Sequence, residues 1–334
     1  MKPEIRKLLT PQGVRRLAAR WPEAGDTELI DDVNSVVFAF QCQGRPRILR
    51  VTHSSQGSEE DTLAELDWVS FLAENGVPVA SPVASSSGRF TEVLTAGDSY
   101  FVAAVFERAE GELVDPADPQ HGNPELIRSL GRLMGRMHAV TKRYDPRHLP
   151  RKRPLWDEAD IILHASRYVP RSEAQLLDDL ARAMQRVGRL SRDGDGYGLV
   201  HWDLNFTNFL VKDGQITLFD CADCCYGWFI GDIAAAMLFY QPAYFQEDWE
   251  PRAEAFFQSF MLGYDEENEL SAFWFEHLGD FMRLQNMLNL VFCFREDIAG
   301  GPYAWFFELV RDVYRKEHRP YGLDFRALYE ALGR

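Results

Sequence analysis

Apolar and polar residues alternate over the N-terminal part of the chain in a pattern typical of strands. In 27–52, β-branched and aromatic residues predominate, and Gln43 and Gly44 form a turn signal between two apolar runs. This segment predicts two or three strands that open an antiparallel sheet. Further strand patterns follow at 77–83, 90–94 and 100–106.

A helical pattern interrupts these strands. Leucine and valine residues recur at helical spacing between residues 63 and 72, and acidic residues cluster just before them. Asn75 and Gly76 then supply a helix stop. The segment therefore predicts one amphipathic helix inside the β-rich part of the chain.

Helical periodicity takes over after the last of these strands. One short apolar block, 197–220, is different, because it reads as a loop followed by a hairpin that turns at 212–214. The helical patterns lie at 127–140, 161–187 and 253–294.

These patterns predict an α+β fold with two lobes. Residues 1–107 form a small antiparallel β-sheet lobe with one helix, and residues 108–334 form a larger, mainly helical lobe. With 334 residues, of which 46% are hydrophobic, the chain has enough apolar surface for one large domain or two smaller lobes.

Charge and composition narrow the class of partner. The net charge of -15 argues against a nucleic-acid partner and favours a cationic substrate. No apolar run approaches the ~20 residues that span a bilayer, and the N-terminal segment lacks the apolar core of a signal peptide. We expect a cytoplasmic protein without a membrane partner, and a homodimer is left open. The five cysteines are an odd set, which favours reduced thiols over a disulfide framework.

The segment HWDLNFTN at 201–208 carries the first chemical pattern. It separates Asp203 from Asn208 by five positions, and Asp220 follows after the predicted hairpin. Phosphoryl transfer needs a carboxylate to orient the attacking hydroxyl and oxygen ligands to hold Mg²⁺ against the phosphates of ATP. We therefore interpret Asp203 as a catalytic base, and Asn208 and Asp220 as magnesium ligands. The alternative is that the motif occurs by chance and that Asp203 is an ordinary turn residue.

This pattern resembles that of the aminoglycoside phosphotransferase and choline kinase superfamily. Its catalytic loop reads H-x-D-x-x-x-x-N and is followed by a metal-binding Asp and then by an Asp that begins a helix. The segment FDCADCCYGWFIGDIAAAM is similar to the bacterial spore-coat, type II homoserine kinase and stress-response kinase subgroup. The resemblance implies a two-lobed protein-kinase-like fold with ATP and Mg²⁺ as cofactors. The matching positions are His201, Asp203, Asn208, Asp220 and Asp232.

The resemblance also implies roles outside the catalytic loop. Arg50 looks like the cation that contacts phosphate, and Glu65 like the helix glutamate that pairs with it; the plain alternative is a surface ion pair. His201 and Asp232 would support the catalytic loop, although Asp232 could also cap a helix. The remaining nucleotide contacts would come from the turn before the second strand and from a hinge, at Asn34, Ser35, Phe106, Glu107 and Ala109.

Some residues depart from the family pattern. Arg50 stands where protein kinases have lysine, Trp202 where glycine is common, and Cys221 within a pair that is more often aromatic and acidic. For substrate binding, Asp223 is a candidate because it lies three positions past Asp220. Trp228 is a second candidate, with the alternative that it is a core aromatic residue.

The expected activity is phosphorylation of a hydroxyl on an amino acid, amino alcohol, sugar or aminoglycoside-like compound. A Ser/Thr protein kinase of the stress-response type is an alternative, but the twelve positions from Asp220 to Asp232 leave no room for a long activation segment. The departures at Arg50, Trp202 and Cys221 suggest a third reading, a pseudokinase that binds nucleotide without catalysis.

Overall fold

Contacts between Cα atoms divide the chain into two units in the computed structural model, which describes residues 3–115, 123–239, 249–301, 303–316 and 322–333. One, which we call the sheet unit, comprises Met1–Gly111, Tyr144–Arg153 and Thr217–Ala222. The other, the helical unit, comprises Glu112–Arg143, Pro154–Ile216 and Asp223–Arg334. Two short segments from later in the chain thus belong to the sheet unit, and the proposed lobe boundary at residue 107 stays a prediction.

The sheet unit is built on an antiparallel sheet of the order β1-β2-β3-β6-β4, with β5 also paired to β6. Gln43 and Gly44 both have positive φ, 51° and 66°, which suits the tight turn predicted between β2 and β3. The strands are β1 (Glu28–Asp31), β2 (Val36–Cys42), β3 (Arg45–His53), β4 (Pro82–Val83), β5 (Thr91–Ala96) and β6 (Ser99–Glu107).

In its described residues, the sheet unit also contains three α-helices, α1 (Pro3–Arg6), α2 (Pro11–Ala18) and α3 (Glu59–Glu74), and the short 3₁₀ helix Pro146–His148. Helix α3 is the one predicted from sequence, and its start has a clear cause. Ser58 and Asp61 form a capping box, in which each side chain bonds the other's backbone N–H. The helix stops at Asn75, and Gly76 follows with a φ of 77°.

The strand pattern at 77–83 forms far less sheet than the sequence suggests. Only Pro82–Val83 pairs with β6, because two prolines in this segment lack the N–H that a ladder needs. Instead, Val79 forms an isolated parallel bridge with Leu218.

Short strands lie in the segment 197–228. Strand β7 (Tyr197–Val200) pairs antiparallel with β10 (Cys225–Trp228). Strands β8 (Phe209–Lys212) and β9 (Gln215–Leu218) form the predicted hairpin, with positive φ at Asp213. The helices are α4 (Pro124–Thr141), α5 (Asp160–Leu163), α6 (Ala165–Tyr168), α7 (Ala174–Val187), α8 (Phe229–Phe239), α9 (Trp249–Tyr264), α10 (Ala272–Phe275), α11 (Leu278–Arg295), α12 (Ala304–Arg315) and α13 (Phe325–Glu330).

The long helical pattern at 161–187 is divided. It forms the one-turn helices α5 and α6, and then α7 begins after Pro170, whose missing N–H favours a break. Across the parts of the chain that the structure describes, no helix is both long enough and apolar enough to cross a membrane.

Candidate active site

The loop between β7 and β8 holds the carboxylate of Asp203 on both oxygens. Asn205 Nδ2 donates to Asp203 Oδ1 at 3.0 Å, and Asn208 Nδ2 donates to Asp203 Oδ2 at 2.9 Å. Asn208 Nδ2 also donates to the Asp203 carbonyl oxygen at 2.7 Å. Because its nitrogen is committed to Asp203, Asn208 offers its other amide atom, Oδ1, as the possible metal ligand.

Asp232, in the first turn of α8, fixes the start of this loop. Its Oδ2 accepts from the backbone N–H of His201 at 2.9 Å, and its Oδ1 accepts from that of Trp202 at 2.7 Å. Asp232 and His201 are fully buried. These are the contacts that the predicted bracing role of Asp232 requires. One of the two N–H groups belongs to a residue with an unusual backbone conformation, because Trp202 has a φ of 70°.

A chain of buried hydrogen bonds also holds the Asp232 carboxylate in place. His138 Nε2 lies 3.0 Å from Asp232 Oδ2, and His138 Nδ1 lies 2.8 Å from Tyr264 Oη. Asn268 Nδ2 donates to the same Oη at 2.7 Å. Burial lowers the pKa of His138 more than neighbouring Asp232 raises it, and burial raises the pKa of Tyr264 well above its usual value. A neutral His138 with its proton on Nε2 satisfies every contact.

These supporting residues were missed by the sequence interpretation. One signal was present: His138 lies four positions after Met134, on the apolar face of the helix predicted at 127–140. Tyr264 and Asn268 carry no comparable local signal, because Tyr264 contacts His138 from more than a hundred positions along the chain and Asn268 bonds Tyr264.

In the sheet unit, Arg50 and Glu65 form a buried, two-pronged ion pair. The distances are 2.8 Å and 2.6 Å between the two guanidinium nitrogens and the two carboxylate oxygens. Burial opposes the charge of Arg50, but Glu65 and Asp220 outweigh it and raise the pKa of Arg50. The surface ion pair considered as an alternative does not match this burial.

Asp220 lies beside this pair. Its Oδ1 is 3.5 Å from a guanidinium nitrogen of Arg50, and its side chain is 53% exposed. A φ of 57° places its backbone in the left-handed region. An exposed carboxylate suits a metal ligand, because it can reach an ion that arrives with a nucleotide.

The other predicted nucleotide contacts lie at the end of β6 and in the turn before β2. Phe106, half-buried, has its ring 5.0 Å from the Arg50 guanidinium carbon. Glu107 ends β6, its N–H donates to Ser81 O at 2.8 Å, and Ala109 follows the strand. In the turn, exposed Asn34 precedes Ser35, whose Oγ lies 2.8 Å from Thr52 Oγ1.

The two substrate candidates have different surroundings. Asp223 is exposed. Trp228 is fully buried, its Nε1 donates to Ser191 O at 2.8 Å, and its ring packs against those of Trp156 and Phe281. This burial favours the core alternative for Trp228, and its assignment to substrate binding stays a prediction. The five cysteines are free thiols, all buried.

The predicted metal ligands are oxygen atoms, which suit magnesium, an ion that does not need a complete set of protein ligands. Within the described ranges, no three His, Cys, Asp or Glu side chains cluster as metal ligands. Mg²⁺ typically takes one or two protein oxygens and completes its shell with water and substrate phosphates. The amide oxygen of Asn208 and the exposed carboxylate of Asp220 are donors of this kind.

Comparison with known sequences places the chain among small-molecule kinases. A sequence profile described as "Phosphotransferase enzyme family" matches residues 27–270. The amicoumacin kinase of Bacillus subtilis (strain 168) is 34% identical to this chain over 290 residues, which cover 85% of each protein.

Two solved structures are similar along almost the whole chain. An amicoumacin kinase in complex with AMP-PNP, Ca²⁺ and Ami has a TM-score of 0.84 at 30% identity, covering 95% of this chain and 96% of its own. A microcompartment-associated aminopropanol kinase has a TM-score of 0.74 at 21% identity, covering 96% of this chain and 100% of its own. These similarities confirm the predicted α+β, kinase-like fold.

Proposed function

Because the chain belongs to the phosphotransferase enzyme family and is a kinase that phosphorylates a hydroxyl of a small molecule, we propose that Asp203 is its catalytic base. We also propose that Asn208 and Asp220 each supply an oxygen ligand to Mg²⁺. The observation that carries the proposal is the position of the Asp203 carboxylate, held on both oxygens by neutral amides.

The contacts of Asp203 explain how it would act. Two amide groups donate to its two oxygens and fix the orientation of the carboxylate, so that it can orient an acceptor hydroxyl and take its proton. The Asp232 contacts to two successive N–H groups keep the loop in this conformation. When bound, magnesium would neutralise charge on the phosphates of ATP.

Arg50 is proposed to contact a phosphate of the nucleotide. Glu65 engages two of the five N–H groups of its guanidinium, so others remain for an oxygen acceptor. Its raised pKa means that it stays cationic throughout the physiological range. The departure from lysine at this position thus keeps the charge while adding a planar, pre-oriented fork.

Amicoumacin is the first acceptor to examine, because a protein 34% identical to this chain is named amicoumacin kinase. The net charge of -15 favours a cationic acceptor by general attraction, which includes amino alcohols and aminoglycosides. Asp223 is proposed as a carboxylate that contacts such an amine. A cytoplasmic location, a homodimer and the lack of nucleic-acid and membrane partners stay predictions.

An ADP-release assay tests the proposal. The protein is incubated with Mg²⁺, ATP and, in turn, amicoumacin, amino alcohols, amino acids, sugars and aminoglycosides. Asp203→Asn is expected to lower kcat on the best acceptor by about 100- to 10,000-fold, because it removes the base and keeps the shape. Asp195→Asn, at a side chain that is 97% exposed, is the matched control and should leave turnover unchanged. Equal turnover in the two variants would remove Asp203 from the mechanism.

A further inference from the structure

The connection that follows α4 in the chain contacts helix α3 in the sheet unit. His148 Nε2 lies 2.9 Å from Asp67 Oδ1, and Tyr144 Oη donates to Asp67 Oδ2 at 2.7 Å. Arg151 Nε lies 2.6 Å from Asp61 Oδ1. The connection is therefore fastened along one side of α3, toward the start of that helix.

Arg153, at the end of this connection, reaches beyond α3. One terminal guanidinium nitrogen donates to the backbone carbonyl of Asp61 at 3.1 Å, and the other donates to the carbonyl of Ala222 at 2.5 Å. Ala222 lies two positions after the proposed metal ligand Asp220. Arg153 is half-buried, whereas the side chain of Arg151 is 59% exposed.

The bridge through Arg153 has a counterpart one turn along α3. Glu65 on that helix holds Arg50, and Arg50 lies 3.5 Å from Asp220. Two arginines thus join α3 to 220–222, one at the carboxylate of the metal ligand and one at the backbone just after it. The Arg50 contact competes with a metal for the same carboxylate, but the Arg153 contact does not, because it uses a carbonyl.

We propose that Arg153 is a positioning residue for magnesium: it fixes the backbone of 220–222 against α3, so that Asp220 presents its carboxylate to the ion. This inference rests on the proposed role of Asp220. Asp220 has a φ of 57°, a conformation that costs about 1 kcal/mol or more for a residue other than glycine and persists only when surrounding contacts impose it. A charge-assisted bond to the Ala222 carbonyl is such a contact.

The experiment measures how much Mg²⁺ the folded protein needs in order to bind AMP-PNP. The midpoint of a Mg²⁺ titration, followed by calorimetry or thermal shift at fixed AMP-PNP, is compared between variants. Arg153→Met should raise the midpoint about tenfold, the size expected for one charge-assisted hydrogen bond. Arg151→Met is the matched control, since it removes a neighbouring arginine that bonds Asp61 but not Ala222, and its midpoint should be unchanged. If Arg153→Met does not fold, Arg153→Gln takes its place in the same comparison.

A double-mutant cycle separates this inference from the role of Asp220. Asp220→Asn alone should raise the Mg²⁺ midpoint, and adding Arg153→Met should then raise it little further, because both changes act on one ligand. A full additional rise in the double variant would overturn the inference, as would a lower melting temperature for Arg153→Met with an unchanged midpoint. If Asp220→Asn alone left the midpoint unchanged, the proposed metal role itself would fail, and the positioning role with it.

Discussion

Trp202 combines an unfavourable backbone conformation with favourable packing. Its φ of 70° lies in the left-handed region that glycine adopts without cost. The residue is 9% exposed, and its ring lies over Gly227 and Gly231, where added Cβ atoms would come within 3.2 Å and 3.1 Å of it. Gln285 Nε2 donates to the Trp202 carbonyl oxygen at 3.3 Å. The space left by two glycines therefore holds a large side chain at a position where the family often has none.

Magnitudes decide which of these two effects controls stability. Left-handed backbone costs about 1–2 kcal/mol, whereas truncation of a buried Trp costs about 3–5 kcal/mol. Trp202→Gly is therefore expected to lower the free energy of unfolding by about 1–4 kcal/mol, measured by urea denaturation. Asp213→Gly is the control, because Asp213 is exposed with a φ of 51° and has no comparable packing to lose. A Trp202→Gly protein as stable as the wild type would show that the packing contributes no more than the left-handed backbone costs.

At the scale of elements, helices α4 and α9 approach so closely that backbone meets backbone. A Cβ added at Gly131 of α4 would overlap the carbonyl oxygen of Phe260, and one at Gly263 of α9 would overlap that of Arg128. The close approach brings Tyr264, at the end of α9, within hydrogen-bond distance of His138 on α4. The glycines thus support the loop between β7 and β8 indirectly, through the chain of contacts that ends at Asp232.

Gly131→Ala tests this approach. Alanine favours a helix over glycine by about 1 kcal/mol, so a simple propensity argument predicts stabilisation. The overlap with a backbone oxygen cannot be relieved by a rotamer, and overpacking of this kind costs about 1–3 kcal/mol or more. We expect Gly131→Ala to have a lower free energy of unfolding than the wild type, measured by urea denaturation. Gly194→Ala, where nothing lies within 4 Å of the added carbon, should change stability by less than about 0.5 kcal/mol.

Local signals explain which elements could be predicted from sequence. The stop residues of α3 and the turns at Gln43 and Asp213 act over a few positions, so the sequence alone could predict them. The motif that contains Asp203 and Asn208 is equally local, but the roles assigned to these residues stay predictions. The contact from Arg153 to Ala222 could not be predicted, because its acceptor is a backbone carbonyl, which every residue has. The burial of Trp228 likewise depends on rings from distant segments.

At the scale of the whole molecule, carboxylates and histidines are expected to lower the free energy of unfolding in two different pH ranges as the solution becomes acidic. The pKa values of Asp61, Glu92 and Asp179 are lowered because hydrogen bonds and arginines outweigh the effect of burial. Each such carboxylate stabilises the fold above its unfolded pKa of about 4, and that contribution is lost as the pH falls further. Histidines whose pKa is lowered in the folded protein reduce the free energy of unfolding at a higher pH than the carboxylates do. His138 is the most deeply buried of these histidines.

His138 therefore sets an expected pH dependence near neutrality. Its pKa is lowered in the folded protein by burial and by Lys142, against the opposing effect of Asp232, so below about pH 6.5 the unfolded chain binds a proton that the folded chain does not. The free energy of unfolding should then decrease as the pH decreases, by at most about 1.4 kcal/mol per pH unit for this group. In His138→Gln, the slope between about pH 7 and pH 5 should be smaller, even though the variant is less stable overall. Urea unfolding across this range measures both slopes, and equal slopes would show that His138 is protonated to the same extent in both states.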